Sequence, residues 1–425
     1  MRKKLIIFGS FTVLLALVLM HGCAPQRSIS SENLAHIYNS ERTPIRADYR
    51  VFHPEENLTT VFLRVAASDL TPGQNLETFR MESDAVVDLK VYPPQGLMVR
   101  AVDSVLVRIN DAAPGKDDNY LHTAINLSIR SGYTYRAVMK ITDINKNETQ
   151  EMRFEIDKLN PNHRHNFLVF ETAQRIPLYT DYVTTPTRLR IKNNESKDMT
   201  VRYYNRNFPL PPPPFSSYSP PPFRYEADSV FSMRATSDFS ILDINRPGFF
   251  HVLKDGNQKS GLSIFTFPDP FPMVTSTEQM FESLRYVTTE WEFREMRQRS
   301  NLRLAVEKFW MDCAGSKERA REMIQVYYGR VEEANRFFTS YVEGWKTDRG
   351  LIHIVYGRPN IIYKTDRGET WIYGEDRNTM SLSFTFVKVI NPFTDNDYRL
   401  SRDESYKASW YRAIESWRNG RIHAN

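Results

Sequence analysis

Between Asp48 and Asn160, apolar and polar residues alternate with a period of two, the pattern of strands that bury one face. The clearest run is Leu121, Thr123, Ile125, Leu127 and Ile129, with His122, Asn126, Ser128 and Arg130 on the opposite side. Ser131-Gly132 marks a turn, after which Tyr133, Tyr135, Ala137, Met139 and Ile141 resume the pattern. It breaks at Asp143 to Asn147 and returns at Met152, Phe154 and Ile156. Together with Val61 to Val65, Val87 to Val91 and Val105 to Ile109, these runs predict an antiparallel β-sandwich-like domain over 48–160. Pro161-Asn162 marks a boundary. Apolar runs at Phe167 to Phe170, Thr187 to Lys192, Thr200 to Tyr204, Phe239 to Ile244, Phe249 to Leu253 and Leu262 to Phe267 predict a second, less regular sandwich over 161–270.

Past Asp269-Pro270 the period lengthens to about 3.6 and helices are expected. Ser276 and Gln279 have the spacing of a capping box ahead of Met280, Phe281 and Leu284. From Ser316 to Ser340, one apolar stripe runs through Ala320, Met323, Ile324, Tyr327, Val331, Ala334 and Phe338. Leu351 to Tyr356, Ile361 to Lys364, Thr370 to Tyr373 and Leu382 to Val389 read as short strands with tight turns, a small antiparallel meander. Ser401 and Glu404 are expected to cap a terminal helix on which Trp410, Ile414 and Trp417 share a face, and Gly420 ends it. The expected fold class is therefore multidomain, mainly β plus α+β, with an α+β unit over 271–425.

The amino terminus carries an address. Arg2, Lys3 and Lys4 precede an apolar run from Leu5 to Met20 and then His21-Gly22-Cys23, the order of an export signal followed by a cleavage point. A membrane span needs about 20 apolar residues; this run is shorter and contains Gly9, Ser10 and Thr12. The segment resembles a bacterial lipoprotein signal over 1–22. Cys23 would then accept the acyl chains, membrane lipid would be the first partner, and 23–47 would form a polar tether. An ordinary cleaved signal and an uncleaved anchor are the alternatives.

A chain of 425 residues, 41% hydrophobic and 13% aromatic, can bury more than one core. Removal of the signal takes three of the 56 basic residues against 51 acidic ones, and the near-neutral remainder lacks the footprint of a nucleic-acid binder. If Cys23 is acylated, Cys313 has no disulfide partner; its setting in Phe309-Trp310-Met311-Asp312-Cys313 reads as a buried, inert thiol.

One insert stands out in the second sandwich. Phe208 to Phe215, with Pro209, Pro211, Pro212, Pro213 and Pro214, continues through Tyr218 to Pro220, Pro221, Pro222 and Phe223. Proline cannot donate ladder hydrogen bonds and favours an extended left-handed helix, so a projecting loop is expected. Pro211 to Pro214, Phe215 and Tyr218 are its candidate partner-binding residues; a stiff connector covering its own domain is the competing reading.

Gly344-Trp345-Lys346-Thr347-Asp348, followed by Arg349-Gly350, then Ile354-Val355-Tyr356-Gly357-Arg358-Pro359 and the Trp410 to Trp417 helix, resembles the GWxTD domain family of bacterial envelope proteins, found largely in Bacteroidetes. The resemblance spans about Met273 to Ile422 and implies an exported protein without an established biochemical activity. Read from the residues, Gly344 ends the helix region by allowing a left-handed backbone, Trp345 is an anchor, Thr347 and Asp348 bond nearby backbone amides in a turn, and Gly350 releases the chain into a strand. The competing reading puts Asp348 and Arg349 in a ligand site with Arg358, Asp366 and Glu369.

Catalytic patterns are few. The chain has no Gly-x-Ser-x-Gly elbow, His-Glu-x-x-His, phosphate loop or paired Cys-x-x-Cys set. His163 and His165 flank a domain junction without a ligand pattern around them, His353 reads as a core histidine, and Asp395 and Asp397 lack the glycine of a calcium loop. No cofactor and no metal are expected. The expected function is a non-catalytic binding or scaffold lipoprotein on the periplasmic face of the outer membrane, with an unidentified envelope protein as partner. A surface adhesin for glycan or another cell, and a hydrolase centred near Asp348, are the alternatives.

Overall fold

The alternation of the first β segment becomes two facing antiparallel sheets. The computed structural model describes residues 33–422 apart from 40–43, 75–80, 95–99, 111–118, 173–175, 196, 219–220, 222 and 237. The signal segment and Cys23 lie outside the described residues. The strands of this segment are β1 (Ala47–Glu55), β2 (Leu58–Ala66), β3 (Pro72–Gln74), β4 (Met81–Tyr92), β5 (Asp103–Asn110), β6 (Tyr120–Leu127), β7 (Thr134–Asp143) and β8 (Thr149–Asp157). One sheet runs β1-β2-β6; the other runs β3-β4-β7-β8 with β5 also on β4. Leu121, Ile125 and Leu127 meet Val87, Leu89, Met139 and Ile141 in one core, as period two requires.

The second β unit holds β9 (Phe167–Glu171), β10 (Tyr182–Thr184), β11 (Thr187–Asn193), β12 (Met199–Tyr204), β13 (Ser229–Met233), β14 (Ala235–Thr236), β15 (Phe239–Ile244), β16 (Gly248–Leu253) and β17 (Leu262–Phe267). Its sheets run β10-β17-β16-β12-β13 and β14-β15-β11-β9. All residues of β17, and all of β16 but its first, are buried, which is why alternation faded there. The two β units meet through Arg50, which donates to Asp181 at 2.9 Å, and Arg164, which donates to the same carboxylate at 2.6 and 2.7 Å.

The carboxy-terminal unit adds helices α1 (Thr277–Ser283), α2 (Glu290–Arg297), α3 (Leu302–Ala314), α4 (Lys317–Phe338), α5 (Asp348–Tyr356) and α6 (Tyr406–Arg418) around a four-stranded antiparallel sheet. That sheet is β18 (Ile361–Thr365), β19 (Gly368–Tyr373), β20 (Leu382–Lys388) and β21 (Tyr398–Leu400), in sequential order. The capping box at Ser276 and Gln279 forms on α1, and the α4 stripe buries Ala320, Met323, Tyr327, Val331, Ala334 and Phe338. Trp410 and Trp417 of α6 lie in the same core. Among the described residues no helix is long and apolar enough to cross a membrane.

Three expectations of detail change. Leu351 to Tyr356 is the body of helix α5, not a strand: Thr347 caps it, and all nine residues are buried, so no polar face betrays the helical period. The terminal helix starts at Tyr406 behind Ser405, and no side chain caps it. Residues 33–39, within the stretch expected to be tether, are packed on the carboxy-terminal unit: Tyr38 lies in its core, while Ile45 is already in the core of the first sandwich.

Candidate functional site

The Gly344 to Gly350 stretch is where three backbones close on one another. A Cβ added at Gly344 would lie 1.8 Å from the Ala334 carbonyl oxygen of α4, and one at Gly350 would lie 2.1 Å from the Gly344 oxygen. Gly344 does not take the expected left-handed backbone, and Gly350 lies inside helix α5 rather than before a strand; at both positions close backbone leaves room only for hydrogen. Between them, a 3-10 turn at Gly344–Lys346 buries Trp345, whose N–H donates to Asn335 Oδ1 at 3.2 Å and whose C=O accepts from the Tyr286 hydroxyl at 2.8 Å. The Thr347 hydroxyl donates to the Gly344 oxygen at 2.7 Å and accepts from the Gly350 N–H at 3.1 Å, capping α5. Asp348 opens the helix, where a carboxylate is favoured by the backbone dipoles. It accepts from the Leu400 N–H at 2.8 Å and pairs with Arg402, joining α5 to β21.

Arg349 turns the other way, into the core. It is 1% exposed, and its guanidinium pairs with Glu369 Oε1 at 3.2 Å, donates to the Tyr38 hydroxyl oxygen at 3.2 Å and to the Asn396 carbonyl oxygen at 3.0 Å, and also bonds Asn396 Oδ1. The rings of Phe338 and Tyr398 flank it at 5.1 and 4.0 Å. Glu369, 2% exposed on β19, collects the Tyr38 hydroxyl at 2.7 Å, Lys364 at 2.9 Å and the Trp371 indole N–H at 3.0 Å as well. Burial alone would raise this carboxyl, but Lys364 and Arg349 overcome it and hold it at about 2. Burial, with Glu369 adding to it, drives the Tyr38 phenol well above its usual value. The Glu369 carboxylate, the Tyr38 hydroxyl and both terminal nitrogens of Arg349 have partners, as a buried network demands.

This fixes a pH dependence. An unfolded glutamate titrates near about 4.3, so Glu369, depressed in the fold, contributes stability above that value and loses it as pH falls toward about 2. Glu333 behaves alike: against burial, His353 and Arg358 hold it at about 2. Urea midpoints measured by tryptophan fluorescence are expected to fall between about pH 4.5 and 2, and Glu369→Gln is expected to flatten that dependence.

The five residues considered as one ligand site are divided. Arg349 and Glu369 are together; Asp348 is with Arg402; Arg358 pairs with Glu333 of α4; Asp366 is exposed in the turn after β18. His353 is fully buried on α5, its Nε2 2.9 Å from Glu333, and burial lowers its pKa. His163 and His165 meet edge to face with ring centres 4.2 Å apart, and His165 Nδ1 accepts from the Asp157 N–H. Asp397 accepts from Tyr341 and Asn391, while Asp395 points to Lys388. Among the described residues no group of three His, Cys, Asp or Glu is arranged to hold a metal. Burial pushes the Cys313 thiol up to about 11.

Among its described residues, which leave out 219, 220 and 222, the proline-rich insert does not project. The Pro212 carbonyl accepts from Arg402, the Pro214 carbonyl accepts from the Asp403 N–H, Pro214 is buried, and Leu210 and Phe215 pack on the carboxy-terminal core. Pro211 and Pro213 are half-buried along the same strap; Tyr218 is exposed. At its ends Phe208 and Phe223 join Tyr204, Phe249 and Phe393 in an aromatic cluster between the second sandwich and the carboxy-terminal unit. Beside that cluster lies a cleft of about 270 Å³ lined by Phe223, Tyr225, Tyr341, Phe393, Asp397 and Arg399 among others. Tyr38, Arg402, Glu333 and Asn396 are functional parts that the sequence did not announce, since their partners are tens to hundreds of positions away.

Residues 248–419 match the family model described as the GWxTD domain. The chain contains a GWxTD domain. The match begins in β16, upstream of the helices, and so takes in Phe249, Phe265 and Phe267 of the aromatic cluster that seats the GWxTD domain on the second sandwich. No curated protein matches the chain.

Proposed function

We propose that this protein is a non-catalytic, lipid-anchored scaffold or binding component of the bacterial envelope. Acylated Cys23 holds it to the outer membrane, facing the periplasm; the β domains engage a protein partner, and the GWxTD domain is their rigid base. The observation that supports this reading is the use of the motif: Thr347, Asp348 and Arg349 spend their polar groups on Gly350, Leu400, Arg402, Glu369, Tyr38 and Asn396. A motif committed to its own backbone and core serves shape. The strap of Pro211 to Pro214 supports the same reading, since it fastens the second sandwich to the GWxTD domain.

The test is crosslinking and affinity purification of the lipidated protein from its own membrane, for the wild type and for Asp348→Asn, which keeps an oxygen for the Leu400 N–H. The same partner set is expected from both. Loss of that set with an unchanged unfolding midpoint would make Asp348 a ligand contact and overturn the reading.

A further inference from the structure

The described amino-terminal segment runs along β18 in one direction. Asn33 Oδ1 accepts from the Ile362 N–H at 3.0 Å, its Nδ2 donates to the Asn360 oxygen at 2.8 Å, and the Leu34 N–H donates to the Ile362 oxygen at 2.9 Å. Four residues later Tyr38 reaches Glu369, the ion-pair partner of Lys364. The two ends of this sheet are distinct. Ile361 pairs with Ile372 and Tyr373 pairs with Leu382 at one end, which is closed by the Gly374 to Ser381 turn; the Gly374 N–H donates to Asn360 Oδ1 at 2.7 Å. Thr365 pairs with Gly368 and Gly368 with Val387 at the other, beyond which the chain loops through Phe393 and Asp395.

That second end carries the β domains. The Phe393 ring lies 5.2 Å from Tyr204, 5.0 Å from Phe249 and 5.1 Å from Phe223. The seven residues of β20 separate the two ends by roughly 24 Å at 3.4 Å per residue. Asn33 enters at the first end, only ten residues after Cys23, and ten extended residues span about 35 Å at most.

We propose that the Gly374 to Ser381 end of the GWxTD domain faces the lipid surface and that the β sandwiches point away from it. This rests on acylation of Cys23. The segment from Asn33 to Tyr38 is then a strap that fixes the direction of the whole molecule: it is seized at the membrane end by Asn360 and Ile362 and plugged at the far end by Tyr38. Met380, 89% exposed at the tip of the turn, is the side chain presented to the headgroup layer, while Leu106 of the first sandwich, 71% exposed on β5, is presented to the periplasm. The occupant of that end is a phospholipid surface, because the ten residues between Cys23 and Asn33 keep it within about 35 Å of the anchor, whereas the sandwiches begin roughly 24 Å further on.

The experiment uses full-length lipidated protein in phospholipid vesicles, in a Cys313→Ser background, with a fluorophore on Met380→Cys or on Leu106→Cys and spin-labelled headgroup lipids as quenchers. Mass spectrometry of the amino-terminal peptide reports acylation of Cys23 independently. Acylated protein quenched at position 380 and not at 106 is the expected result. Acylated protein quenched at 106, at both positions or at neither overturns the orientation while leaving the anchor intact. Absence of acyl chains on Cys23 overturns the anchor, and the orientation falls with it.

Discussion

Arg349→Met is expected to lower the unfolding free energy of the GWxTD domain by about 3–5 kcal/mol, the range for removing one member of a buried ion pair. Methionine preserves much of the stem that packs between Phe338 and Tyr398, so the loss is electrostatic and hydrogen-bonding rather than a cavity. Glu369 would keep Lys364, the Tyr38 hydroxyl and the Trp371 indole, but Asn396 would lose a donor for its carbonyl and for its side-chain oxygen. A buried acceptor left unmet costs its desolvation without return. The measurement is direct, because all six tryptophans, from Trp291 to Trp417, lie in the GWxTD domain and their fluorescence follows its unfolding alone. An Arg349→Met midpoint within experimental error of the wild type would mean that the pair does not hold the domain.

Gly344→Ala is expected to be as severe, by a different route. The new methyl group would sit 1.8 Å from the Ala334 oxygen and within 2.8 Å of the Asn335 Cα, and both obstacles are backbone of α4. No rotamer relieves a Cβ, so α4 and the Gly344–Lys346 turn must separate, and the bonds from Trp345 to Asn335 and Tyr286 separate with them. Overpacking typically costs about 1–3 kcal/mol and occasionally more, and the upper end is expected where only backbone can move. Gly329 is the control. It lies inside α4 with nothing within 4 Å of the position a Cβ would take, so Gly329→Ala is expected to stabilise by about 0.5–1 kcal/mol. Opposite signs for the same substitution at the two glycines, in the same denaturation assay, separate close packing from helix propensity.

What the chain revealed of itself follows from which faces meet water. The first sandwich was legible at Leu121 to Ile129 because every second residue is solvated. Helix α4 was legible for the matching reason, with Glu318, Arg321 and Glu322 outside its apolar stripe. Helix α5 was misread because it is buried on all sides; its signals were instead at its ends, the Thr347 cap with Asp348 behind it and Gly357 at a φ of 86° after it. For the proline strap, composition gave an extended chain, but whether such a chain projects or lies flat depends on Phe215 finding the GWxTD core and Phe208 finding Tyr341. The capping role of Thr347 could be reasoned from residue type, since its partners are local backbone, whereas Trp345 bonds the side chains of Asn335 and Tyr286 and Gly344 is confined by the Ala334 backbone of α4. Nor could the role of Arg349 be reasoned so, because Tyr38 is 311 positions away and Glu369 only becomes its neighbour through the sheet.

Segment 33–39 also gives the motif a use beyond its own domain. Tyr38 completes the charge network that Arg349 begins, so the seat of the amino-terminal strap and the core of the GWxTD domain are one structure. Loosening one is expected to loosen the other. Hydrogen–deuterium exchange of the full-length protein carrying Arg349→Lys tests this most directly, because lysine keeps the charge but lacks the fork that serves Glu369, Tyr38 and Asn396 together. Faster exchange is expected at 33–39, at α5 and at β19 in concert, with the first sandwich unchanged. Exchange identical to the wild type in those three segments would contradict the claim that the motif arginine is the joint holding the strap to the domain.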